Sequence, residues 1–146
     1  DDISAFKIYM ADVGLLRRLA LLAPSAVAEG SRLFVEFKGA LSENYILQAL
    51  VHQFEAMPRY WSMNNPNHEV DFLVQRENKI YPVEVKSGLP MESKSLKKFK
   101  ELYADDVGLR LRFSLNNLRL DNDLLNIPMF MTDYVDRLIV LAEKKQ

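Results

Sequence analysis

Asp71, Glu84 and Lys86, with Glu43 upstream, are the residues whose types and spacing carry most chemistry in this chain. The connection between Gln75 and Ile80 is short. A two-residue turn at Glu77-Asn78, or a symmetric four-residue loop there, sets one register, with Val74 facing Tyr81, Phe72 facing Val83 and Val70 facing Val85. That face is wholly apolar, which is what pins the register of a half-buried hairpin. The same register puts Asp71 opposite Glu84 and Glu69 opposite Lys86, all four on the other face. Opposed Cβ atoms lie roughly 4.5–5.5 Å apart, and like charges there are destabilising. A divalent cation, a lysine ammonium or a shared proton would compensate. The chemistry favours the cation. Mg²⁺ takes oxygen ligands and keeps several waters, so one or two carboxylates suffice, and a bound metal activates water and stabilises charge on a phosphoryl oxygen. Lys86, two residues from Glu84 on the same strand face, could orient that water or neutralise the developing charge.

Blander readings stand beside these. Asp71 and Glu84 could be solvent-facing strand residues, with Lys86 answering Glu69 in a surface pair worth about 0–1 kcal/mol. Glu43 could favour a helix N-terminus through the dipole, worth roughly 0.3–1 kcal/mol. His68 reads as an exposed turn histidine, His52 as structural, and Tyr60 and Trp61 as fillers of the core edge rather than base-stacking rings.

The elements that must position these groups follow from periodicity and punctuation. Lys7–Met10 reads as a short strand or extended entry, and Asp12 as the cap of a helix to about Leu22. Pro24 to Gly30 is a linker. A helix from about Gly39 to Glu55 carries Leu47, Leu50 and Phe54 on one stripe, which extended back one turn reaches Glu43. Pro58 ends it. Strands follow at Arg59–Met63, Glu69–Gln75 and Lys79–Lys86, the first two separated by the Asn64-Asn65-Pro66-Asn67 turn. Ser87-Gly88-Leu89-Pro90 breaks the chain before a helix from Ser93 to Tyr103 with Leu96, Phe99 and Tyr103 inward. Leu109–Leu115 and Ile127–Met131 are further strands, and Asp133 to Ala142 a last helix. Hairpin-linked strands followed by a helical crossover predict an α/β fold with a mixed sheet and flanking helices.

With 146 residues, 49% of them hydrophobic, the chain suits one domain with a real core. A net charge of −1 does not advertise a polyanion partner. The lysines of the Ser93–Tyr103 helix, with Arg110, Arg112 and Arg119, are offset by Asp121 to Asp123 and do not by themselves make a nucleic-acid surface. There is no cysteine, hence no disulfide framework or thiolate metal site. No signal peptide or apolar run of membrane-spanning length is visible, and no P-loop, so no ATP site is expected in this fragment. The chain opens Asp1-Asp2-Ile3 without an initiator Met, and reads as a piece of something longer.

Asp71, twelve intervening residues, then Glu84-Val85-Lys86 resembles the D…ExK signature of the PD-(D/E)xK phosphodiesterases. More narrowly, Lys7-Ile8-Tyr9-Met10-Ala11-Asp12-Val13-Gly14-Leu15-Leu16, Gly39-Ala40-Leu41-Ser42-Glu43-Asn44-Tyr45, Glu69-Val70-Asp71-Phe72 and Val83-Glu84-Val85-Lys86-Ser87-Gly88 resemble a domain of unknown function found C-terminal to AAA-type ATPase modules in bacteria and archaea. The resemblance covers about Lys7 to Met131. It implies a restriction-endonuclease-like core of order αβββαβ over residues 31–146, with 1–30 an N-terminal extension forming the tail of an upstream region. It implies Asp71 and Glu84 as ligands of Mg²⁺ or Mn²⁺ with the Val85 carbonyl as a third, Lys86 as the catalytic lysine and Glu43 as an accessory acid. The implied partners are an upstream ATPase region and DNA, in a cytoplasmic prokaryotic setting. The chain departs from the pattern in carrying Val70 rather than proline before Asp71, and Asn67-His68 where close relatives often have a small residue or glycine.

Two functions compete on this reading: metal-dependent phosphodiester hydrolysis of DNA, and a catalytically inactive interaction or regulatory domain of the ATPase. A nucleic-acid binder without catalysis lies between them.

Overall fold

A computed structural model describes residues 6–22, 32–64, 67–87 and 93–145, with 32–37 described by backbone alone. Two helices come first, α1 (Val13–Leu19) and α2 (Arg32–Gln53), then three strands, β1 (Arg59–Asn64), β2 (Asn67–Arg76) and β3 (Lys79–Val85). Helix α3 (Lys94–Leu102), β4 (Arg110–Ser114), β5 (Arg119–Asp121) and β6 (Leu124–Pro128) follow, and a 3-10 helix (Met129–Tyr134) leads into α4 (Val135–Glu143). The fold is α/β, with one six-stranded sheet of order β1-β2-β3-β4-β6-β5. The pairs β1/β2, β2/β3 and β5/β6 are antiparallel, whereas β3/β4 and β4/β6 are parallel. Helix α3 carries the crossover between β3 and the parallel β4, as the expected order required.

The chain chemistry explains most boundaries. Asp12 caps α1, its Oδ1 accepting the Leu15 N–H at 2.9 Å, and the helix stops at Leu19, short of the expected Leu22. Helix α2 begins earlier than Gly39 and ends before Pro58, consistent with proline's exclusion from a helix interior. The Pro24–Gly30 linker, the 30/31 boundary, Asn65-Pro66 and Gly88–Pro90 lie outside the described residues. Lys7–Met10 is an extended entry and not a strand. Strand β5 was not expected, and the last strand is Leu124–Pro128 where Ile127–Met131 was expected, because Pro128 turns the chain into the 3-10 helix.

Apolar residues pack on both sheet faces. One cluster joins Ile46 and Leu50 of α2, Phe54 just after it, and Val135, Leu138 and Ile139 of α4 to Phe72, Val74, Tyr81, Val83 and Val85. The other places Leu96 and Phe99 of α3 with Val70 and Val107, with Trp61, Leu73 and Ile80 packed against it. Trp61 meets Phe99 edge-on at 5.2 Å between centroids, so it fills a core edge as expected. No described helix is long and apolar enough to cross a membrane.

Gly108 is where backbone runs over the Tyr81 ring. A Cβ there would lie 2.6 Å from Tyr81 Cε1, and Tyr81 cannot swing away easily because its hydroxyl donates to Glu143 Oε1 at 2.6 Å. Gly108→Ala is therefore expected to destabilise the fold by about 1–3 kcal/mol, the usual cost of overpacking. Urea unfolding of the variant checks this, and a midpoint equal to wild type would contradict it.

Candidate functional site

The site is built where β2 and β3 part. Their ladder runs from Arg76↔Lys79 through Gln75↔Ile80 and Val74↔Tyr81 to Phe72↔Val83, the expected register with its two-residue Glu77-Asn78 turn. There the pairing ends. Asp71 does not face Glu84 across a continuing ladder; instead its Oδ2 accepts the Val85 N–H at 2.7 Å. A carboxylate thus takes the place of a main-chain acceptor.

The reason lies on the other edge of β2. Arg59 pairs with Leu73, but Trp61 pairs with Val70. Asp71 and Phe72 together stand against Tyr60, two residues against one, which is a β-bulge. A bulge inverts the alternation beyond it. Val70, expected beside Phe72 and Val74 and opposite Val85, packs instead with Leu96 and Phe99 on the other face. Glu69 changes face likewise and does not meet Lys86. It pairs with Lys7. Lys86 turns to Glu84, Nζ to Oε1 at 3.0 Å. The expected four-group face therefore holds Glu84 and Lys86, with Asp71 at the seam and Glu69 beyond it.

Glu84 is 6% exposed and its Oε2 has no hydrogen-bond partner among the described residues. A buried, unsatisfied carboxylate oxygen costs several times what a typical hydrogen bond contributes. Glu43 sits about three turns inside α2, since that helix starts at Arg32. The expected helix-dipole role at an N-terminus is therefore excluded. Its Oε2 accepts from the Tyr9 hydroxyl at 3.3 Å, and its charge reaches Asp71.

Asp71 carries the electrostatic consequence. Burial, then the charges of Glu43 and Glu84, push its carboxyl up to about 6, against the opposing pull of the Val85 amide and Lys7. Burial alone would lower the Lys7 ammonium, but the Glu69 contact and the charges of Glu43, Glu69 and Asp71 outweigh it and raise it. The Tyr9 hydroxyl is raised, first by burial and then by Glu43.

Lys7 and Tyr9 were not anticipated as site residues. They reach it because α2 grips the extended segment before α1. Asn44 accepts the Met10 N–H at 2.8 Å and donates to its carbonyl at 3.1 Å. One turn on, Gln48 does the same for Val13 N–H and Ala11 O, at 2.9 and 3.0 Å. Two side-chain amides at i, i+4 thereby replace a neighbouring strand. The usable signal was a pair of side-chain amides, Asn44 and Gln48, at i, i+4 on one face of α2. Between this segment and β1 lies a cleft of about 1090 Å³, lined by Lys7, Tyr9, Tyr60, Trp61 and Asp71 among others.

The histidines stay outside. His52 is exposed on α2 and so has no core role, and His68 is half-buried in β2, paired with Met63, rather than in the turn. Most lysines and arginines near α3 are occupied internally: Lys100 donates to the Val107 and Gly108 carbonyls, Arg110 forms a two-pronged pair with Asp123, and Arg119 meets Asp121. Among the described residues no group of three or more His, Asp or Glu side chains is arranged to hold a metal ion.

The fold and site define an α/β domain whose polar centre is a carboxylate-lined break between two antiparallel strands. The chain belongs to the family of a domain of unknown function, DUF4143, whose model matches residues 38–130. That range includes Glu43, Asp71, Glu84 and Lys86, while Lys7 and Tyr9 precede it. No curated protein and no solved structure matches the chain.

The raised Asp71 carboxyl has a signed consequence. Its native value lies above its ordinary 3.8, so its contribution to stability is fully present below about 3.8 and is lost as pH rises through about 6. Above that the buried charge costs at most about 3 kcal/mol, from roughly two pH units at 1.36 kcal/mol each. In EDTA, Asp71→Asn should therefore be more stable than wild type by about 1–3 kcal/mol at pH 8, and the difference should close towards pH 4. Urea unfolding at both pH values is the check; a gain that does not depend on pH would refute the cause.

Proposed function

We propose that this chain is a metal-dependent phosphodiesterase domain of the PD-(D/E)xK type, acting on DNA and joined to an upstream AAA-type ATPase region. The observation that carries the reading is the break between β2 and β3. There Asp71 bonds the Val85 amide beside Glu84, whose buried Oε2 is unsatisfied and whose Oε1 holds Lys86. The element order supports it as well. A helix, a three-stranded antiparallel meander, a crossover helix and a fourth strand parallel to the third follow the αβββαβ order that such a core would have.

The donor set fits Mg²⁺ or Mn²⁺. All the candidate atoms are hard oxygens, and the orphaned Glu84 Oε2 is the kind of atom a cation would satisfy. Asp71 and Glu84 would hold it. A strand residue's N–H and C=O leave from the same edge, so the Val85 carbonyl follows its amide towards Asp71 and joins them. When bound, the metal supplies an activated water and charge stabilisation at phosphorus. Lys86, held by Glu84 at 3.0 Å, would orient the attacking water or neutralise the developing charge. Glu43, which accepts from the Tyr9 hydroxyl, would serve as the accessory acid.

A second reading rests on a different observation. Helix α1 buries none of its residues, and Phe6, Ile8, Leu15, Leu19 and Leu21 are all exposed, Ile8 by 80%. An apolar surface of that kind favours a role as an interaction or regulatory domain of the ATPase, catalytically inactive.

Thermal melts with and without Mn²⁺ separate the two. A ligand bound only by the folded state adds about 2.7 kcal/mol at a hundredfold excess over Kd. Wild type should shift upward and Asp71→Asn/Glu84→Gln should not. Lys86→Ala should keep the shift and lose Mn²⁺-dependent DNA cleavage by at least about a hundredfold, the low end of acid–base and positioning effects. Equal shifts in wild type and the double variant would remove the carboxylates from the proposal. The interaction reading predicts ATPase-region binding that survives neutralising both carboxylates.

A further inference from the structure

Glu84, Arg112 and Asn126 stand in one row across three strands, since Glu84 pairs with Arg112 in the β3/β4 ladder and Arg112 with Asn126 in the β4/β6 ladder. Paired residues share a sheet face, about 4.8 Å apart from strand to strand. An opposite-charge pair so placed ordinarily closes into an ion pair. Here it does not. Glu84 gives one oxygen to Lys86 and leaves the other unsatisfied. Arg112 turns the other way, its Nε donating to Asn126 Oδ1 at 3.2 Å and its Nη1 to Ser93 Oγ at 3.3 Å.

These bonds position Arg112 more than Arg112 positions its partners. Asn126 Oδ1 is already bonded by the Ser114 hydroxyl at 2.8 Å, and its amide donates to the Asn117 carbonyl at 2.9 Å. Asn126 is 2% exposed and Ser93 6% exposed, so the guanidinium is braced by two buried side chains. Ser93 precedes α3 but makes no side-chain capping bond; its oxygen faces Arg112 instead. Arginine has five N–H donors in a rigid fork. Among the described residues only Nε and Nη1 have partners, and the Nη2 donors have none there. Arg110 and Arg119 pair with Asp123 and Asp121, whereas Arg112 has no acidic partner among the described residues.

We propose that Arg112 is a phosphate-binding residue, gripping the phosphodiester group that the Asp71–Glu84 site acts on. The inference rests on the phosphodiesterase reading above and names the part of the site that reading lacks. A phosphate seated between Glu84 and Arg112 would be reached by metal from the carboxylate side and by a braced guanidinium from the other. Because Glu84 and Arg112 do not pair, neither charge neutralises the other. An arginine fork suits phosphate oxygens better than a lysine point charge.

The test is the salt dependence of binding by the intact chain to a short fluorescein-labelled DNA duplex in Ca²⁺, followed by anisotropy. One phosphate contact contributes about 0.7–0.9 to the slope of log K against log salt. Arg112→Gln should weaken binding about three- to tenfold at low salt and lower the slope by about one contact. Arg112→Lys should restore the slope with only part of the affinity. The Mn²⁺ melting shift should stay in both. Ser93→Ala frees the guanidinium without removing its charge, so affinity should fall while the slope stays. That variant decides the matter if Arg112→Gln does not fold. Wild-type binding and cleavage with Arg112→Gln unchanged in affinity and slope overturns the assignment of Arg112 alone. Wild type that neither binds nor cleaves DNA overturns the functional reading and this inference with it.

Discussion

A single hydrogen bond, from the Val85 amide to the Asp71 carboxylate, organises the polar centre of this domain. It exists because β2 carries one residue too many against β1, and the extra residue is the aspartate. A bulge leaves a strand locally unpaired and turns it, and an unpaired main-chain N–H inside a protein must find an acceptor. Asp71 supplies one. The arrangement holds β2 and β3 apart at a defined point, buries Glu84 on β3 without a partner for Oε2, and sends Glu69 to Lys7 and Lys86 to Glu84. Burial first, and then the charges of Glu43 and Glu84, push the Asp71 carboxyl up to about 6.

The segment before α1 completes that balance from outside the sheet. Main-chain groups of Met10, Ala11 and Val13 pair with the side-chain amides of Asn44 and Gln48. That satisfies an extended chain that joins no strand. It delivers Lys7 to Glu69 and Tyr9 to Glu43, so the electrostatics of a site centred on β2 and β3 depend on residues more than sixty positions earlier. The near-neutral net charge hides this distribution. Most cations beside α3 are matched internally, as Arg110 is by Asp123, and Arg112 is the exception braced by neutral side chains.

How much of this was legible follows from the range of each interaction. The Asp12 cap, the Glu77-Asn78 turn and the register of Val74 with Tyr81 and Phe72 with Val83 are local or pinned by an apolar face, and they appear as expected. The three-residue β5 has too few residues to show a period. The 3-10 helix after Pro128 reads as strand because Met129-Phe130-Met131 continues the apolar residues of β6 with no helical spacing to distinguish it. Glu43 falls near a helix start only if the helix begins at Gly39; Gly30-Ser31, directly before the true start at Arg32, is the signal that places it deep in the helix.

The sequence by itself determined the candidate residues, the hairpin that brings Asp71 near Glu84, and the helix–strand order, because these rest on side-chain period and turn chemistry within a few residues. Only the tertiary structure decided which face each charge occupies beyond Phe72. A bulge depends on the pairing of β2 with β1 across its whole length, and no pattern within β2 alone records that β1 is one residue short. The same holds for Lys7, Tyr9 and Arg112, whose roles arise from contacts across the fold: Lys7 with Glu69, Tyr9 with Glu43, and Arg112 with Asn126 in register.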